Sequence, residues 1–89
     1  MNLEILKVFE ISVNEGSINR TADRLGIHQT FVSSTLINLE NELGFEVYKK
    51  GKGGRSLILT NKGAAFYRSL PALIALFKDI DDIRTQCED

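Results

Sequence analysis

Residues 17–43 read SINRTADRLGIHQTFVSSTLINLENEL, two short amphipathic segments on either side of a glycine-bearing turn. Ser17 precedes the first periodic residue, where its hydroxyl can accept from the free N–H groups of an opening helical turn. Ile18, Ala22 and Leu25 then recur at spacings of four and three, on one side of a 3.6-residue helix. Gly26 ends that helix, because glycine reaches the left-handed conformation common at helix termini. Beyond the turn, Val32, Leu36, Leu39 and Leu43 form the apolar seam of a second helix, closed by Gly44. The opposite side starts with His28, Gln29, Thr30, Ser33 and Ser34, all polar and slim. A helix, a short turn containing Gly and a second helix make a helix-turn-helix, in which the first residues of the second helix meet base edges in the major groove.

The rest of the chain frames this pair. Asn2 can cap a preceding helix with Leu3, Leu6, Phe9 and Val13 on its core side, ending before Asn14-Glu15-Gly16. After Gly44 the period changes towards two, and two short strands are expected, one from Phe45 to Tyr48 and one from Ser56 to Leu59. Between them Lys49 to Arg55 would form a hairpin tip with three glycines and four cations, suited to following a phosphate backbone. Thr60 can cap a last helix from Asn61, on which Phe66, Leu70, Leu73, Phe77 and Ile80 make a heptad seam. Such a stripe outruns what a small domain can cover, so a second chain is expected to pair along it. Pro71 interrupts one hydrogen bond of this helix and predicts a local bend.

Eighty-nine residues, 43% of them hydrophobic, suffice for one small core. The single cysteine, Cys87, excludes an internal disulfide, and one Cys with one His leaves no zinc set within a chain. No cofactor is expected. Neither a membrane-spanning run nor the basic and apolar regions of a signal peptide are present in the sequence, which places the chain in the reducing cytoplasm as an expectation. Catalysis finds no support: His28 near Ser33 and Ser34 lacks an acid to orient it, and no phosphate cradle accompanies it. The net charge of −1 runs against nucleic-acid binding, but its distribution favours it. Residues 19–62 hold seven Lys and Arg against four acids, whereas acids outnumber cations in both flanking segments.

Gly16-Ser17-Ile18, Ala22-Asp23-Arg24-Leu25, Gln29, Ser33, Leu39-Glu40, Glu42-Leu43-Gly44, Val47-Tyr48 and Leu59-Thr60 with Gly63 form a spaced pattern. It resembles the N-terminal DNA-binding domain of LysR-type transcriptional regulators. The resemblance implies a mainly α fold: a winged helix-turn-helix over residues 1–60, with a three-helix core and two-stranded wing, and a linker and dimerisation helix over residues 61–89. It further implies a bacterial, homodimeric regulator that binds double-stranded DNA at specific sequences. Carried over by position, Gln29, Thr30, Ser33 and Ser34 would face the major groove, with Gln29 ranked first because Gln can bond bidentately to adenine. Ser17, Asn19 and Arg20 would lie near phosphates, and Lys52 and Arg55 would form the wing contact. Phe66, Leu70, Leu73, Phe77 and Ile80 would pair the subunits.

This chain departs from the family pattern at His28, Thr30, Ser34, Thr35 and Ile37, which leaves its recognition surface poor in cations. LysR-type regulators normally continue into a ligand-sensing domain. The sequence fits either a piece of such a regulator or a short one, and in both cases no small-molecule effector is expected to bind within residues 1–89. A competing reading is a protein-interaction module that pairs with a related regulator, or with another protein, through residues 61–83 without strong DNA binding of its own.

Overall fold

The computed structural model describes residues 1–51 and 56–86. Its elements run α1 (Leu3–Glu15), α2 (Ile18–Leu25), α3 (Gln29–Leu43), β1 (Tyr48–Lys50), β2 (Leu57–Leu59) and α4 (Asn61–Thr85). The helix boundaries follow local chemistry. Asn2, Ser17 and Thr60 each place a side-chain oxygen on the backbone N–H three residues ahead, at Ile5, Arg20 and Gly63. Gly16, Gly26 and Gly44 stop the first three helices with positive φ of 70°, 68° and 83°.

The helices converge on one core. Leu6 and Phe9 from α1, Ala22 from α2, Val32, Leu36 and Leu39 from α3, Val47 from the following connection and Leu70 from α4 are all buried. Phe9 stacks at a tilt on Phe66, with centroids 5.5 Å apart, and meets the edge of Tyr67 at 6.3 Å. Small polar residues also face inward, each satisfied one turn back. Ser12 Oγ donates to the Val8 carbonyl, Thr21 Oγ1 to Ser17 and Thr35 Oγ1 to Phe31, at 2.7–2.8 Å. A search for apolar periodicity passes over these three positions because Ser and Thr are polar residue types, buried here by packing from other elements.

The wing differs from the sequence expectation. Strand β1 starts at Tyr48 rather than Phe45, and it pairs antiparallel with β2 through Tyr48↔Leu59, Lys49↔Ile58 and Lys50↔Leu57. Lys49 and Lys50 therefore lie in a strand, not in the hairpin tip. The cause is a competing partner upstream: the Val47 N–H donates to Glu40 Oε2 at 2.8 Å, which ties the connection back to α3 before pairing with β2 begins. Burial, and then the Glu40 charge, raise the Tyr48 phenol above its ordinary pKa. Residues 52–55, where the Lys52 and Arg55 expectations fall, lie outside the described residues, as does Cys87.

The wing joins α4 through a close approach. Thr60 N donates to Val47 O at 3.1 Å, and Thr60 Oγ1 donates to Glu46 O at 2.7 Å. A Cβ at Gly63 would stand 1.9 Å from the Val47 carbonyl oxygen. Glycine is required there by space alone. Helix α4 then continues without interruption through exposed Pro71 to Thr85. We expect Gly63→Ala to lower the melting temperature by more than about 10 °C, because backbone rather than a flexible side chain must give way. An unchanged melt, measured by circular dichroism, would mean that α4 does not pack on Val47 as described.

Candidate nucleic-acid interface

The outward side of α3 follows from its inward side. With Val32, Leu36 and Leu39 fully buried, the 100° step of the helix turns Gln29, Thr30, Ser33, Ser34, Ile37, Asn38 and Asn41 away from the core. Ser33 is half-buried and the other six are exposed. The four residues expected to read bases, Gln29, Thr30, Ser33 and Ser34, thus share one edge. Thr35, which in the sequence reading departs from a family position often held by Arg or Gln, is buried on the core side instead. Ile37, another of the departures from the family pattern, does lie on the outward edge and is 49% exposed. His28 occupies the cap position of α3 in extended geometry without a side-chain cap bond.

The residues expected near phosphates have separate roles. Asn19 and Arg20 are exposed at the start of α2. Ser17 is buried, and its Oγ accepts from Arg20 N at 3.2 Å, so it serves α2 as its cap. Arg20 Nη1 lies 3.4 Å from the Glu15 carbonyl oxygen, while Arg24 pairs with the Glu15 carboxylate at 2.8 Å. Both guanidinium groups sit in solvent, where such contacts are weak and leave the groups able to move. Lys49 and Lys50 are exposed on β1, and Lys62 lies over the Phe45 ring at 5.7 Å.

Helix α4 is used on two sides. Of the five residues expected to pair subunits, Leu70 is buried and Phe66 packs on Phe9, so both belong to the core of their own chain. Leu73 and Phe77 are half-buried against it, and only Ile80 is exposed. Leu76, which the heptad count omitted, and Ile83, which partly takes the place of Arg84 at the end of the seam, are 57% and 66% exposed and flank Ile80 at spacings of four and three. Phe31 lies off the outward edge of α3 and lines a groove with Met1, Lys7, Ile11, Phe77 and Arg84.

Among the described residues, no group of three or more His, Cys, Asp and Glu could hold a metal ion, and no helix is long and apolar enough to cross a membrane.

Residues 3–64 match the family model described as a bacterial regulatory helix-turn-helix protein of the lysR family. Among similar curated proteins are the transcriptional activator AmpR of Providencia stuartii, 34% identical over 87 residues, and the transcriptional regulator BenM of Acinetobacter baylyi, 34% identical over 83 residues. The matches take in 98% and 93% of this chain but 28% and 26% of those proteins, so the chain spans about a quarter of their length. The BenM DBD in complex with benA site 1 DNA superposes with a TM-score of 0.75 at 30% identity, covering 94% of this chain and 92% of that one. The CbnR DBD in complex with DNA gives 0.79 at 25% identity, covering 94% of both chains.

The two classes of α4 residue should separate in stability measurements. Leu70→Ala is expected to cost about 2–5 kcal/mol in urea unfolding of the isolated chain, and Ile83→Ser less than about 0.5 kcal/mol under conditions where the chain is monomeric. Equal costs would contradict the division.

Proposed function

We propose a function from the premise that the chain belongs to the lysR family of bacterial regulatory helix-turn-helix proteins: it is a transcriptional regulator that binds specific double-stranded DNA as a homodimer. The observation that carries this reading is the continuous exposed edge of α3, held outward by a fully buried seam, in a chain that superposes over most of its length on domains bound to DNA. Gln29, Thr30, Ser33 and Ser34 read base edges from the major groove. A Gln amide can bond both N6 and N7 of adenine, and the hydroxyls accept or donate to several bases. Asn19 and Arg20 take backbone phosphates beside the groove, and Ser17 supports them by holding the first turn of α2. Lys52 and Arg55 make the wing contact, with Lys49 and Lys50 adding positive charge at its base. The action is binding, not catalysis, and takes place in the cytoplasm.

Residues 1–60 form the DNA-binding unit and residues 61–89 the linker and pairing helix. The second subunit covers the stripe of Leu76, Ile80 and Ile83, with Leu73 and Phe77 at its margin. Phe66 and Leu70 contribute indirectly by fixing the helix to its own domain. This arrangement supports pairing because three large apolar side chains at helical spacing are otherwise left in water.

Two measurements test this reading. In mobility-shift titrations against duplexes selected by the chain from a random library, Gln29→Ala should lose roughly tenfold on the selected site and little on random DNA. Arg20→Ala should weaken both alike and reduce the slope of log affinity on log salt by about one. Absence of any retarded band at micromolar protein and low salt would overturn the assignment in favour of a protein-interaction module. For the assembly, Leu76→Glu combined with Ile83→Glu should give a folded monomer in sedimentation. A dimer that persists with both glutamates would place the subunit contact elsewhere.

A further inference from the structure

The outward edge of α3 carries no charge. Gln29, Thr30, Ser33, Ser34, Asn38 and Asn41 offer amides and hydroxyls, and Ile37 is the one apolar side chain among them. Ile37 stands four residues after Ser33 and three after Ser34, so it belongs to the next turn of the same edge, about 12 Å along the axis from Gln29. Nothing in the core requires it: it is 49% exposed, and the adjoining Leu36 fills the interior position. Phe31, the other large exposed apolar residue of α3, turns instead into the groove beside α1 and α4.

We propose that Ile37 reads the C5-methyl group of a thymine in the major groove, making it a specificity-determining residue for an A·T pair on the side of the site away from Gln29. This rests on the DNA-binding reading and deepens it. The chemistry leaves one good match. Among base edges in the major groove, donors and acceptors dominate, and burying them against a branched hydrocarbon costs hydrogen bonds to water. The thymine methyl is the apolar feature of those edges, and its contact with an apolar side chain removes both from water. Lacking a cation, this helix cannot rely on phosphate attraction, so each group on its edge contributes by matching what the base presents.

The test compares thymine with deoxyuridine, which differs only by that methyl. From duplexes selected by the chain out of a random library, each thymine of the selected site is replaced singly by deoxyuridine and Kd is measured by fluorescence anisotropy. For the unsubstituted protein, one thymine position should show a loss of about fourfold, the value of one buried methyl group. Ile37→Ala should bind the thymine site more weakly and show no further loss with deoxyuridine at that position, while Ile37→Val should retain most of the methyl effect. The Ile37→Ala melting curve should match that of the parent, since the side chain lies outside the core. Sites that bind well but respond to no deoxyuridine, or that respond equally in the parent and Ile37→Ala, overturn the inference while leaving DNA binding intact. Failure of the parent to select any duplex overturns the DNA-binding reading and this inference together. An Ile37→Ala loss shared by random DNA would mark the residue as structural and also overturn it.

Discussion

The burial of Val32, Leu36 and Leu39 decides what α3 can do. These three side chains lose all contact with water in a cluster shared with Leu6, Phe9 and Ala22, and each such burial is worth roughly 1.5–3 kcal/mol. That energy fixes the rotation of α3 about its own axis. Once the seam is inside, the uncharged edge from Gln29 to Asn41 has to be outside. A helix rotated by one residue would expose leucine and bury amides without partners, a double cost that no surface contact could offset.

The remaining elements transmit that rotation. Glu40, near the end of α3, accepts the Val47 N–H and sets where the wing begins. Val47 and Thr60 then bond across the base of the hairpin, and Gly63 lets the backbone of α4 lie against the Val47 carbonyl. Leu57 N donates to Gly16 O at 2.9 Å, so the same hairpin also touches the turn between α1 and α2. The wing is therefore referenced to the helix-turn-helix by the Glu40 carboxylate and one backbone bond, and α4 to the wing by backbone contacts at Val47. The base reading proposed for the α3 edge needs such anchoring, because contacts discriminate between bases only when their positions are fixed.

The cations lie beside α3 rather than on it. Helix α3 has no cation, while Arg20, Arg24, Lys49, Lys50 and Lys62 lie on the flanking elements. Three acids lie on α1, two on α3 and three on the distal half of α4. Under the proposed DNA binding, attraction to the polyanion comes from these flanking cations and discrimination from the cation-free edge of α3, where hydrogen bonding and apolar contact suffer less from salt.

Much of this was legible in the residues themselves. Caps at Asn2, Ser17 and Thr60, stops at Gly16, Gly26 and Gly44, and the seam of α3 are local signals, because a helix terminus and a helical face are decided within a few residues of chain. The start of β1, the burial of Ser12, Thr21 and Thr35, the need for glycine at 63 and the division of α4 between its own core and solvent were not. Each depends on a group distant in sequence: Glu40 on Val47, Val47 on Gly63, Phe9 on Phe66. Periodicity along α4 shows that a stripe is apolar, yet Leu70 and Leu76 look alike in sequence. Only the packed structure decides that the core covers the first and leaves the second in water, since the extent of a covering surface is set by how helices stack in three dimensions.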